Sequence, residues 1–415
     1  MARRTELVVL TGTHAAGAER VIATLRGLRR RAAVVQHDLR DVATGALRRR
    51  VRLGRYDETT TVRLDHGCVS CTLREDVLPV VRALGARPDV DLVVLHLDPA
   101  LTPEQVCWAL LHVVSGPGPV TDEDTGTVDL RGVIAVLDGS TWLTDVTGPD
   151  DIADRPGLAG VPDDERTVAQ LVVDQAEFAD LVVLDPAGAA TWELLRTEAV
   201  LARLAPRGVL VAEPDERLLL RDLPSNARRG RTDPAHAPLL AGQPPLTAIA
   251  DIGLTLITAR RPFHPERLHT ALDHLLDGVV RARGRIWLAT RPADVLWLES
   301  AGGGLQIGHI GTWLDTDDDA WRQADPERRA AAALHWHPRW GDRMQQITVL
   351  TCDGDPEAIR TALHGALLDD AEVAAGADAW AALPDPFGWW HTDPCDDIAR
   401  APQHSGNPDA GEVTP

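Results

Sequence analysis

The side chains best suited to chemistry stand close together at His66, Cys68 and Cys71. Two thiolates and an imidazole suit zinc, and three such donors with a fourth position open is the pattern of a site that passes metal on or activates water. A C-x2-C pair alone is half of a strong zinc signature. The competing reading is packing, with the cysteines as small apolar side chains near a helix start and His66 capping a turn. A second stretch, GTHAAGAE from Gly12 to Glu19, follows the apolar run Leu7 to Thr11 and precedes a helix-patterned segment over 20–31. A phosphate-binding loop has the form G-x-x-x-x-G-K-[ST], in which backbone N–H groups cradle phosphates, the lysine supplies charge and the hydroxyl ligates Mg²⁺. Gly12 and Gly17 keep that spacing, but Ala18 stands at the lysine position and Glu19 at the hydroxyl position. A carboxylate there favours the helix start by ~0.3–1 kcal/mol. It would also repel a triphosphate, so one reading is that it stands in for the missing anion. The other is an ordinary strand, turn and helix.

These residues need a scaffold, and the hydropathy pattern supplies one. Apolar runs at 7–11, 32–37, 59–64, 91–97, 131–138, 180–185 and 208–213 alternate with helical patterns near 20–31, 72–85, 102–114 and 191–205. That alternation predicts a doubly wound α/β domain with a mainly parallel sheet over residues 1–215. A Pro-, Arg- and Gly-rich stretch, 216–248, reads as a linker or mobile loop. Residues 249–393 change character: a strand at 254–259, a helix over 265–281, an antiparallel meander, a helix at 325–335, a strand at 345–352 and a helix at 356–368 predict a smaller α+β domain. The tail 394–415 has little to bury and is expected to be disordered. Trp389 and Trp390, in DPFGWWH, are expected to dock against their own domain. The chain has 415 residues, 44% of them hydrophobic, and no apolar run reaches membrane-spanning length, so it reads as cytoplasmic. Five cysteines are too few for a disulfide scaffold. A net charge of −20 argues against a broad nucleic-acid surface.

DHGCVSCTLREDV, residues 65–77, resembles the hallmark G-C-x-C-C-[ST]-L-R of the CobW-type P-loop GTPases, a family of metallochaperones, with Ser70 at the middle ligand position. HLDPALTP (96–103) falls where the family has E-[ST]-[ST]-G-x-[AS]-[DE]-P, with His96 for the acid and Pro99 for the glycine. Asp185-Pro186-Ala187-Gly188 replaces the guanine-reading N-K-x-D, and Asp138 matches the family's V-V-D. RRPFHPERL (260–268), GVVRARGRIWLATRPADVLWLESAG (278–302) and GDRMQQITVL (341–350) resemble the CobW C-terminal domain. The resemblance spans about residues 5–390.

What the resemblance implies is a zinc site of Cys68, Cys71 and His66 completed by His37, at the family's acidic metal-contacting position, or by Asp38. It also implies a nucleotide site, here degenerate, at Gly12, Gly17, Ala18, Glu19 and Asp138. GTP and Mg²⁺ are the family's ligands, but losing lysine, hydroxyl, glycine and N-K-x-D together removes the electrostatic stabilisation that phosphoryl transfer needs. We therefore expect weak or no GTP hydrolysis and assign no catalytic residue. The pattern resembles an actinobacterial branch of the family made under zinc starvation. It implies a zinc-responsive adaptor that recruits a hibernation factor to the 70S ribosome. The alternative is a zinc metallochaperone that delivers metal to a client protein.

Overall fold

The computed structural model describes residues 4–113, 128–158, 164–316 and 318–388. Trp389, Trp390, Cys395 and the expected disordered tail lie outside them. The chain forms a mixed α/β domain followed by a domain built on a separate antiparallel sheet. Eight strands make the first sheet: β1 (Thr5–Thr11), β2 (Ala32–Asp38), β3 (Ala46–Leu53), β4 (Tyr56–Arg63), β5 (Leu92–His96), β6 (Val128–Asp138), β7 (Leu181–Asp185) and β8 (Val209–Val211). Their order is β4-β3-β2-β5-β1-β6-β7-β8. The six strands from β2 to β8 pair in parallel, and the β3–β4 hairpin adds an antiparallel edge.

Strands buried on both faces must be apolar along their buried length, and the middle of β1 is: Leu7 and Val9 pack on one face, Val8 and Leu10 on the other. The helix Ala15–Leu28 covers the second face with Val21, Ile22 and Leu25. The helix Val168–Phe178 covers the first. That helix escapes the sequence reading because it is buried nearly all round and so has no clear polar stripe; its start is fixed by a capping box between Thr167 and Gln170. The strand β3 also escapes it, since Arg48, Arg49, Arg50 and Arg52 interrupt its apolar positions.

The second sheet has the order β12-β11-β10-β13-β9, from β9 (Ile252–Ala259), β10 (Val279–Ile286), β11 (Asp294–Ala301), β12 (Gly304–Thr312) and β13 (Gln345–Cys352). The helix expected over 265–281 ends early: a helix spans Pro265–Ala271, a 3-10 turn Leu272–Leu275, and β10 begins at Val279. Gly278 causes the break, with φ +64° and no room for a Cβ against the backbone of Gly354. Trp287, Trp313 and Trp380 are buried in one cluster, with the Trp287 and Trp340 rings 5.5 Å apart edge-on, so these tryptophans are core.

The stretch read as a linker is pinned at several points. Leu218, Leu219 and Leu220 enter the core, Arg229 N donates to Asp180 Oδ1 (2.8 Å), and Asp233 pairs with Arg207 and Arg228. The two domains share apolar contacts through Ile252, Val280, Leu350 and Cys352. A charge cluster joins them too: Arg281 reaches Glu177 (3.0 Å), Asp174 (3.4 Å) and Glu299, and Arg283 reaches Glu177. Among the described residues no helix is long and apolar enough to cross a membrane. Because Arg281 and Glu177 are both buried, removing the cation leaves a buried carboxylate with one cation fewer to neutralise it. Arg281→Leu should cost about 3 kcal/mol, read as a lower urea midpoint.

Candidate functional site

The loop from Gly12 to Glu19 keeps the turn of a phosphate loop for packing reasons that remain visible. Gly12 has φ +132°, and a Cβ there would run into the carbonyl of Val136 on β6. Gly17 lies under the His14 ring, which a Cβ would strike. Ala18, at the lysine position, is buried against the sheet. Glu19 is answered from the neighbouring hairpin: Arg52 Nη1 donates to Oε2 (2.9 Å) and Nη2 to Oε1 (3.1 Å), and Gln36 Nε2 donates to Oε1 (3.0 Å). Burial opposes ionisation of Glu19, yet the hydrogen bonds from Arg52 and Gln36 prevail and hold its carboxyl below the usual range. The charge that would repel a phosphate is thus fixed, and a bidentate guanidinium partner keeps it in place.

The other nucleotide-site positions are also bound internally. His14 bridges Asp138, at 3.1 Å from Nδ1, and Asp185, at 2.7 Å from Nε2. Arg20 pairs with Asp185 as well. Asp138 Oδ1 further accepts from Ser140 N (2.9 Å) and Oγ (2.6 Å). His96 accepts from Gln36 Nε2 at Nδ1 (2.9 Å). Asp98 turns back to accept from Leu39 N (2.9 Å) and Ala100 N (2.9 Å), with burial raising its pKa. Sequence reasoning missed Arg52, Gln36 and His14 as parts of this site. Their only signal was a surplus of polar side chains on strands and a loop that otherwise read as apolar.

The candidate metal donors are partly gathered. β4 runs out at Arg63 into a loop carrying His66 and Cys68, and Cys71 sits in the single helical turn Val69–Thr72. Cys71 Sγ lies 3.9 Å from His66 Nδ1, and the Cys71 N–H points to Cys68 Sγ at 3.4 Å. Cys71 is buried and Cys68 half-buried. Burial, with Cys68 alongside, pushes the Cys71 thiol up to about 11, so binding a metal there must release a proton. His37 is placed elsewhere: Nε2 meets Asp76 Oδ2 at 2.8 Å, deep in the core, and Arg49 closes on the other carboxylate oxygen. Asp38 is held by Arg40 at 2.6 Å. Neither completes a site with the cysteines. Among the described residues no three His, Cys, Asp or Glu side chains stand arranged to hold a metal. His66, Cys68 and Cys71 must therefore move together to take one.

The pH dependence of this region follows from His96, whose pKa burial pushes down to about 4 against the pull of Glu19. An unfolded histidine titrates near ~6.5, so the neutral form is favoured by folding. The stability it contributes is complete above that pH and is lost as pH falls toward the folded value. The melting temperature should drop between about pH 6.5 and pH 4, and His96→Gln should remove part of that drop, as thermal denaturation across the range would show.

Residues 7–207 match the CobW/HypB/UreG nucleotide-binding domain, and residues 252–367 match the cobalamin synthesis protein cobW C-terminal domain. The chain is 45% identical over 355 residues to the Zinc chaperone Rv0106 of Mycobacterium tuberculosis, covering 84% of each protein. It is 25% identical over 337 residues to the Zinc-regulated GTPase metalloprotein activator 1 of Dictyostelium discoideum, covering 79% of this chain and 70% of that one. Among solved structures it aligns with the Zn(II)-bound YjiA GTPase from E. coli at 15% identity and a TM-score of 0.37, over 88% of this chain and 99% of the other. With both domain matches in order and a relative this similar over most of its length, the chain belongs to the CobW family.

Proposed function

We propose that this protein is a zinc metallochaperone-type adaptor that takes zinc at His66, Cys68 and Cys71 and passes it to a client protein, with no GTP turnover driving the transfer. The observation that carries the reading is a loop with two thiols and an imidazole in a fold whose phosphate-type loop has its charge already spent: Glu19 on Arg52, and Asp138 and Asp185 on His14. The names of the relatives, a zinc chaperone and a zinc-regulated metalloprotein activator, support the zinc part.

Zinc is cargo in this scheme. Two thiols and an imidazole give three donors and leave a coordination position through which a client ligand could enter. Loading requires both thiols to give up their protons, and release to a client is favoured by the low donor count and by the rise in Cys71 pKa that burial imposes. Recruitment of a hibernation factor to the 70S ribosome rests on the family resemblance alone and ranks second, because the relatives' names speak of zinc and metalloprotein activation.

Metal-free protein titrated with Zn²⁺ against a chromophoric chelator should bind one equivalent, with proton release measurable from the buffer dependence of the binding heat. Cys68→Ser/Cys71→Ser should abolish binding, and His66→Ala should weaken it by about tenfold, or ~1.4 kcal/mol. His37→Ala should leave affinity within about threefold. Mg²⁺·GTP titrated in parallel should neither bind nor turn over; steady hydrolysis by the wild type would return the protein to the nucleotide-driven metallochaperones.

A further inference from the structure

The edge strand β4 lacks several of the devices that normally keep a sheet edge from pairing, and the charges it does carry, on Asp57, Glu58 and Arg63, are of both signs. It terminates the first sheet, its residues are exposed throughout except for half-buried Val62, and among the described residues no strand lies on its outer side. Its eight pairs with β3 run without a bulge, and it contains no proline and no lysine. Natural edges are usually blunted by one of these.

Its hydrogen-bonding parity can be read directly. Leu64 N donates to Gly45 O at 2.9 Å, one step beyond the paired residues Arg63 and Ala46. Bonding alternates along an antiparallel pair, so Tyr56, Glu58, Thr60 and Val62 bond inward to β3. Asp57, Thr59, Thr61 and Arg63 turn their N–H and C=O groups outward.

The outward set is complementary to itself. An antiparallel pairing with a second copy, centred on Thr60, sets Asp57 opposite Arg63 at both ends and Thr59 opposite Thr61 between them. Opposite charges and threonine pairs across strands are stabilising. Sliding by one bonding step in one direction sets Arg55 opposite Arg63; sliding in the other sets Asp57 opposite Asp65. Both alternatives place like charges together, so the sequence selects one register. In that register Asp57, already held by Arg50 at 2.8 and 2.7 Å, gains a second guanidinium from Arg63 of the other copy.

From this we infer that β4 is a self-association edge through which two copies of the chain pair antiparallel about Thr60, joining their first sheets into one. The occupant is a second copy rather than an unrelated strand because the charge pattern is palindromic. The His66 to Cys71 loops then lie at opposite ends of the paired strands, ~40 Å apart by strand rise, so each stays open to its own partner. The inference does not depend on what those loops bind.

Sedimentation velocity over a loading series up to about 200 µM should show a reversible monomer–dimer equilibrium, weak because a strand pair is a small interface, and weaker in high salt. Arg63→Asp should loosen the dimer by about tenfold. Thr61→Pro removes an outward N–H that β3 does not use, a position where an edge strand tolerates proline. It should abolish the dimer while far-UV circular dichroism stays unchanged. A wild type that remains monomeric throughout would overturn the inference. So would a dimer that Arg63→Asp leaves intact, or one that Thr61→Pro leaves intact with its circular dichroism unchanged.

Discussion

A negative charge at the start of a helix, at the mouth of a phosphate loop, has to be neutralised, and the ion pair between Glu19 and Arg52 does this. The pair reaches from the first helix to β3, a strand with no partner in the core order other than β2 and β4. It fixes the hairpin against the loop, and through Gln36 it reaches His96 at the end of β5. Arg52, Glu19, Gln36 and His96 form one chain of polar groups across the strand ends where ligands of open α/β sheets usually bind. A guanidinium and a carboxylate in bidentate contact satisfy each other's charge at this end of the sheet.

The second set of contacts repeats the logic on the other side of the loop. His14 lies between Asp138 and Asp185, the ends of β6 and β7. Carboxylates at those strand ends would be available to ligands if the loop left them free. Here an imidazole and the Arg20 guanidinium use them, so the strand ends and the loop hold one another. Gly12 and Gly17 are required here by the close approach of Val136 and of the His14 ring.

The two domains are held by apolar contact and by buried charge in different proportions. The shared core residues Ile252, Val280, Leu350 and Cys352 are buried, and beside them, at the wall of a cavity, buried Arg281 satisfies Glu177 and Glu299, which would be costly to leave without a cation. His66, Cys68 and Cys71 follow the edge strand β4 of the first sheet.

The sequence by itself determined the alternation of apolar runs and helical patterns, hence the parallel-dominated sheet, because burial on both faces confines polar residues to the ends of β1, β5 and β7. It also brought Cys68, Cys71 and His66 together, since neighbours along a chain stay neighbours in a turn. It did not reveal β3, whose arginines hide its period, nor the early end of the helix before β10, which the left-handed Gly278 imposes. Only the tertiary structure decided where the charges went. Arg52 meets Glu19 and His14 meets Asp185 across large sequence separations, and His37, which family position would give to the metal, is taken by Asp76. Spacing along the chain carries no information about such pairings; they are set by which strand ends the fold places side by side.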